Sequence, residues 1–484
     1  MRFLALIFTT WIISCLALSS QAEAQTIYGT RNLADEIDQI LRHSNTRANV
    51  GIAIKSMKYG DMIYARNDKS LFVPASTLKI FTAEAALLYL GPNYKFPTRF
   101  VTDATATASN GKLYGNIYLI NSGDPSLTYY DLADLMASLK SQQIQEIVGN
   151  VYIDNTAYDQ VTTGPGWLWS DRKYCYGAPI SASIINHNCL SFRVPHSKTI
   201  TTAGGNVSSP NLYNRIKKPL ASKTRGGGGS RSCYVNLDGA RGGRMAIAGC
   251  LPKAHFSAGV SSVITDVMQY DKTVLQDLFQ RYGIQVKGAI TSGIASSHFS
   301  ELARHESKPL KTLISNMLKM SDNIIAGSIF KKIGELYTHR PGTWESGGDA
   351  VSRILAKQAD LDNWRLNLID GSGLSRYNQV TPSQMLQLLD FTYHNDATNY
   401  EFISALPIAG VDGTLKKRMR NIAWKVRAKT GTMHGVVSLA GYAMSADKEP
   451  FAFVIIVNGQ HGSVWQYREM EDKILSLLTH YSRS

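Results

Sequence analysis

The alternation of apolar and polar positions divides this chain into two ends of mixed helix and strand and a middle dominated by strands. Leu33, Ile37, Ile40 and Leu41 recur at helical spacing and predict an amphipathic helix starting near Asn32. Val50, Ile52 and Ile54 alternate instead, and Tyr59-Gly60-Asp61 turns the chain into Met62-Ile63-Tyr64-Ala65, the pattern of a β-hairpin. Pro74 opens a second helix, rich in Ala and Leu, which Gly91-Pro92 stops. From about residue 94 to 294, β-branched residues, turns and glycines prevail, with one helical stripe at Leu275, Leu278 and Phe279. Helices resume at Pro309, where Leu310, Leu313, Ile314, Met317 and Leu318 share a face. Near the C-terminus, residues 424–429, 436–444 and 451–458 read as neighbouring antiparallel strands, and a last helix covers about 465–478. The fold class is α/β (α+β), with a β-rich insert separating the two ends and no internal repeat.

Composition adds the compartment. Arg2, an apolar run over residues 3–18 and Ala22-Glu23-Ala24 form a cleavable export signal, so residues 1–24 stand apart from the fold. The run is short for a membrane anchor. A lipoprotein reading at Cys15 is disfavoured, because Leu16-Ala17-Leu18 continues the apolar stretch. Export leaves four cysteines, Cys175, Cys189, Cys233 and Cys250, an even set that suggests two disulfides with three connectivities open. The expected pairs are Cys175 with Cys189 and Cys233 with Cys250, the latter flanking two strand-like runs. No CxxC or paired His spacing supports a metal, and no cofactor is implied. A length of 484 residues exceeds one ordinary domain, and 44% apolar with 18% charged residues describes a globular chain. The net charge of +14 invites a nucleic-acid reading, but export and the scattering of the basic residues argue against nucleic acid. The anions of the envelope are phospholipid headgroups and peptidoglycan carboxylates, and Arg483 beyond the last helix leaves peripheral membrane contact open.

Three short motifs carry chemistry. In Ser76-Thr77-Leu78-Lys79, a helical setting puts the hydroxyl and the amine on one face in the first turn. Serine needs a base within reach, and a neutral lysine supplies one. Ser321-Asp322-Asn323 follows the apolar stripe at a helix-to-loop corner, where a hydroxyl can relay protons and an amide can hold a carbonyl or the lysine. Asp322 is expected to point away. Lys429-Thr430-Gly431 ends a strand: Lys429 and Thr430 suit a terminal carboxylate, Gly431 lets a substrate backbone approach, and Lys429 would depress the pKa of Lys79. The backbone N–H groups of Thr432 and Ser76 suit an oxyanion hole. Each motif alone is weak, for SxxK occurs by chance and SDN reads equally well as a helix cap. In this order and these settings the trio is the mark of serine β-lactamases and penicillin-binding proteins.

Over nearly the whole chain after the signal, the sequence resembles the low-molecular-mass class C penicillin-binding proteins, D-alanyl-D-alanine carboxypeptidase/endopeptidases of the S13 peptidase type. The resemblance extends to Ser122-Gly123-Asp124-Pro125-Ser126-Leu127, Gly166-Trp167-Leu168-Trp169, Tyr176-Gly177-Ala178-Pro179, the DGSGLSR segment at 370–376 and the run at 406–415. It implies a serine β-lactamase/DD-peptidase-like penicillin-recognising domain built from residues 25–93 and 298–484. Two β-rich insert domains would fill 94–297, one nested in the other at about 190–253. It implies Ser76 as nucleophile, Lys79 as base, Ser321 as proton carrier to the leaving amine and Asn323 as a positioning group. The implied substrates are peptidoglycan peptide stems, with β-lactam antibiotics as covalent inhibitors. Arg376 and Asp171 are weaker candidates for the carboxylate and amine of a diaminopimelate side chain. Asp370 is expected to order its Gly-rich turn, Trp167 and Trp169 to pack, and His434 to be a loop residue. The competing readings are a serine β-lactamase, an inactive binding scaffold and an esterase of the same chemistry.

Overall fold

The computed structural model describes residues 27–44, 47–195, 201–202, 235–241, 244–249 and 257–483. The expected export signal, the loop at Gly226 to Gly229, and Cys233 and Cys250 lie outside the described residues.

Along the chain, helix α1 (Thr30–His43) leads into the hairpin β1 (Asn49–Ser56) and β2 (Met62–Arg66), and α2 (Lys79–Leu90) follows a 3-10 turn at Ala75–Leu78. The middle contributes β3 (Pro97–Asp103), β4 (Ile117–Ile120), α3 (Tyr129–Ser141), β5 (Val151–Asp154), β6 (Cys189–Pro195), β7 (Ser257–Val263), α4 (Val267–Tyr282), β8 (Ile290–Ser292) and β9 (Phe299–Glu306). The C-terminal part adds α5 (Leu310–Met320), α6 (Asn323–Thr338), α7 (Trp344–Gln358), α8 (Pro382–His394), β10 (Val426–Met433), β11 (Val436–Met444), β12 (Pro450–Asn458) and α9 (Val464–His480).

Both ends of the chain meet in one antiparallel sheet, ordered β10-β11-β12-β1-β2. Strand alternation decides which core each residue enters. From β12, Phe451, Phe453, Ile455 and Val457 pack with α1 and α9, while Ala452, Val454 and Ile456 face the helical layer of α2, α5, α6, α7 and α8. Helix α2 is buried nearly all round, as an Ala- and Leu-rich helix inside a layer must be. A second five-stranded sheet, β8-β5-β4-β3-β9, forms a separate core with α3 and α4. Strand β9, which begins just after residue 298, pairs with β3 across almost its full length. Strands β6 and β7 pair antiparallel in a further small sheet.

Arg483 binds Asp61 bidentately at 3.0 Å, also pairs with Glu449, and its guanidinium lies over Tyr59. One sequence expectation changes. Trp169 does not pack into a core but is 82% exposed, whereas Trp167 is buried. Among the described residues, no helix is long and apolar enough to cross a membrane.

Candidate active site

The three motifs converge where α2, the α5–α6 corner and β10 meet. The backbone enters the first through Ala75, whose φ of 50° is left-handed, so the 3-10 turn at Ala75–Leu78 lifts Ser76 to the surface of the layer. The segment before it is clamped to the sheet. Asn458 exchanges hydrogen bonds with the backbone of Val73, and Ser438 and Thr77 both donate to the Pro74 carbonyl at 2.7 Å. The expected continuous helix is therefore a 3-10 turn joined to an α-helix, still with Ser76 and Lys79 on one face.

Lys79 is fully buried, and its ammonium has three acceptors: Ser76 Oγ at 3.0 Å, Asn323 Oδ1 at 2.7 Å and the Ser372 carbonyl at 2.7 Å. Burial pulls its pKa down to about 7, against the opposing pull of Asp370 and Asp322. At the α5–α6 corner, Ser321 takes a left-handed conformation with φ of 59°. Asp322 turns away to cap α6, accepting from the backbone N–H groups of Ile324 and Ile325. Asn323 donates from Nδ2 to the Tyr176 carbonyl, which fixes the orientation of its amide. From β10, Lys429 is also fully buried and donates to Ser321 Oγ at 2.9 Å and to the Thr430 carbonyl at 2.6 Å. Its pKa lies well below the usual range, through burial first and then the charge of Lys79. Thr430 Oγ1 donates to Thr414 Oγ1 at 2.7 Å. A Cβ on Gly431 would come within 3.0 Å of the Ser76 nitrogen, which shows how closely β10 passes the serine. Thr432 is exposed beside it, its hydroxyl accepting from Arg468 at 3.2 Å.

The weaker candidates stand on the rim. Arg376 donates to the His434 carbonyl at 3.0 Å, and Asp171 accepts from the Tyr176 hydroxyl at 3.1 Å. Asp370 orders its turn, as expected: it accepts from Gly373, Ser375, Ser372, Asn378 and the buried indole of Trp167. The disulfide Cys175–Cys189 is present and ties the turn carrying Tyr176 to the first residue of β6.

Sequence reasoning missed three groups. The Ser372 carbonyl and the Tyr176 carbonyl hold Lys79 and Asn323, and a backbone acceptor leaves no mark in residue type. Thr414 lies in a quoted run but has no motif of its own.

These side chains set a serine hydroxyl 3.0 Å from a buried amine; among the described residues no three His, Cys, Asp or Glu side chains gather as metal ligands would. The sequence model of the D-Ala-D-Ala carboxypeptidase 3 (S13) family matches residues 33–481. The chain belongs to this family. It is a serine DD-peptidase. Among its relatives, the D-alanyl-D-alanine carboxypeptidase DacB of Haemophilus influenzae is 32% identical over 418 residues, spanning 85% of this chain and 86% of that protein. A D-alanyl-D-alanine carboxypeptidase of Actinomadura sp. (strain R39) is 30% identical over 447 residues, or 89% and 81% of the two chains. The crystal structure of penicillin binding protein 4 (dacB) from Haemophilus influenzae superposes with a TM-score of 0.79 at 29% identity, covering 92% of this chain and 99% of that one. The same protein is also solved in complex with a β-lactam.

Proposed function

We propose that Ser76 is the nucleophile acylated by peptidoglycan stems ending in D-alanyl-D-alanine, with Lys79 as its base. The observation that carries this reading is the set of three acceptors around the Lys79 amine. Loss of one proton leaves two N–H bonds for Asn323 and Ser372 and a lone pair aimed at the Ser76 hydroxyl. Ser76 gives its proton to that lone pair, and Oγ attacks the carbonyl carbon of the penultimate D-alanine. The oxyanion is held by the backbone N–H groups of Ser76 and Thr432. The proton then passes through Ser321, beside Lys429, to the amine of the departing residue as the C–N bond breaks. Water hydrolyses the ester by the same route in reverse.

Lys429 and Thr430 bind the terminal carboxylate, with Gly431 leaving room for the substrate backbone. The two buried lysines repel each other, so they titrate as a pair. A bound carboxylate favours the charge on Lys429, and the repulsion then keeps Lys79 neutral. Arg376 and Asp171 receive the carboxylate and amine of a diaminopimelate side chain. The same acyl-enzyme serves release of terminal D-alanine and cleavage of D-Ala cross-links, because both bonds follow a D-alanine carbonyl. β-Lactams acylate Ser76 in place of substrate.

The export signal at 1–24 places the enzyme in the periplasm. The penicillin-recognising domain comprises residues 25–93 and the C-terminal part, with a β-rich insert between them and a nested domain at about 190–253. The pairing of β9 with β3 supports drawing the insert's end after that strand.

The test is D-alanine release from a pentapeptide-bearing muropeptide, with Ser76→Ala and benzylpenicillin as controls. Release that needs Ser76 and stops with penicillin is expected. Fast penicillin hydrolysis without release would make the chain a β-lactamase, and neither activity in a folded protein would leave a binding scaffold.

A further inference from the structure

Beside the site lies a cleft that the chemistry above does not use. It has a volume of about 380 Å³ and runs between the turn at Trp169–Lys173 and the C-terminal end of β7. Trp169, Arg172 and Lys173 line one wall, and Thr162, Ser262 and Thr265 supply hydroxyls from the other. Among the described residues no carboxylate lines it. Trp169 is 82% exposed, with the Arg172 guanidinium 5.0 Å from its ring centroid. A large aromatic face held open to solvent beside two cations and several hydroxyls suits a ligand with a sugar ring and an anionic group.

The position matters as much as the composition. Gly177 lines the cleft, and its neighbour Tyr176 accepts from Asn323 at 3.0 Å, which in turn holds Lys79 at 2.7 Å. The cleft is therefore on the far side of one turn from the base. Asp171, next to Arg172 in the chain, is not among the lining residues and accepts from the Tyr176 hydroxyl at 3.1 Å. From the scissile carbonyl to the sugar, a stem contributes about four residues, or roughly 13 Å when extended.

We propose that this cleft binds the glycan end of an uncleaved stem, with the amino-sugar ring on Trp169 and the free carboxylate of the stem's second residue on Arg172 and Lys173. The inference rests on the DD-peptidase reading and adds a preference for stems still attached to sugar. The experiment compares kcat/KM for a capped diaminopimelyl-D-Ala-D-Ala tripeptide, which ends before both groups, with that for a disaccharide-pentapeptide. Wild-type enzyme is expected to favour the disaccharide-pentapeptide by about tenfold or more, the scale of one or two such contacts. Trp169→Ala and the double variant Arg172→Gln/Lys173→Gln are expected to lose that preference while keeping turnover of the tripeptide. Equal kcat/KM on both substrates in the wild type would overturn the proposal, and needs no variant to fold. An equal loss on both substrates in the variants would also overturn it, assigning the side chains to the turn's own structure. Failure to cleave even the tripeptide would instead sink the peptidase reading.

Discussion

Lys79 and Lys429 show how much one buried charge changes what its neighbour can do. Both motifs are visible in the sequence, but only burial lowers the pKa of the two amines. In its proposed role Lys79 must be neutral to accept the Ser76 proton, so acylation slows as pH falls below its pKa of about 7. On the acid side, kcat/KM for D-alanine release should therefore fall about tenfold per pH unit below that value, read from a pH–rate profile. Glu84, buried in α2 with Thr398 donating to it at 2.6 Å, titrates with the opposite consequence for stability. Burial raises its pKa from 4.5 to about 7. The stability it contributes is complete below about 4.5 and is lost as pH rises through 7. Replacing Glu84 with Gln should remove up to about 3 kcal/mol of the decline between pH 5 and pH 8, seen as a smaller fall in Tm over that range than in the wild type.

At the scale of elements, periodicity located the pieces well and their joints less well. The stripe beginning at Leu310 became α5, and the three C-terminal strand runs became β10, β11 and β12 in antiparallel order. Helix α2 starts later than its pattern suggests, because Pro74 is followed by a left-handed Ala75 and a 3-10 turn. Nothing in an Ala-Ser-Thr-Leu run announces that backbone; contacts from Ser438 and Asn458, more than 300 residues away, impose it. The same turn constrains Gly373, whose φ is 80° and whose position would drive a Cβ into the Ala75 carbonyl. Gly373→Ala should cost about 1–3 kcal/mol in urea unfolding. Its penicillin acylation rate should fall further than that loss implies, since the clash falls on the residue before the nucleophile.

For the whole molecule, the segment around residues 159–161 is joined to the helical layer through buried polar contacts. Lys331 on α6 is fully buried, pairs with Asp159 at 2.6 Å, donates to the Val161 carbonyl at 2.8 Å and lies 4.7 Å from the Trp344 ring. Removing one partner of a buried pair leaves the other charge uncompensated. Lys331→Ala should destabilise the protein by about 3–5 kcal/mol in chemical denaturation, whereas Lys331→Met with Asp159→Asn should recover part of that loss.

The sequence by itself determined the chemistry. The order of SxxK, SxN and KTG, the apolar stripes around them and the DGSGLSR segment specify the S13 serine peptidase family, because these depend on residue type and local spacing. It also determined most elements, since periods of two and of about 3.6 residues are local properties. Only the tertiary structure decided the rest: the depressed pKa of Lys79, the backbone carbonyls that hold it and Asn323, the pairing of Arg483 with Asp61 and Glu449, and the open face of Trp169. Each of these depends on residues far apart in the chain, and burial and long-range pairing leave no local pattern to read.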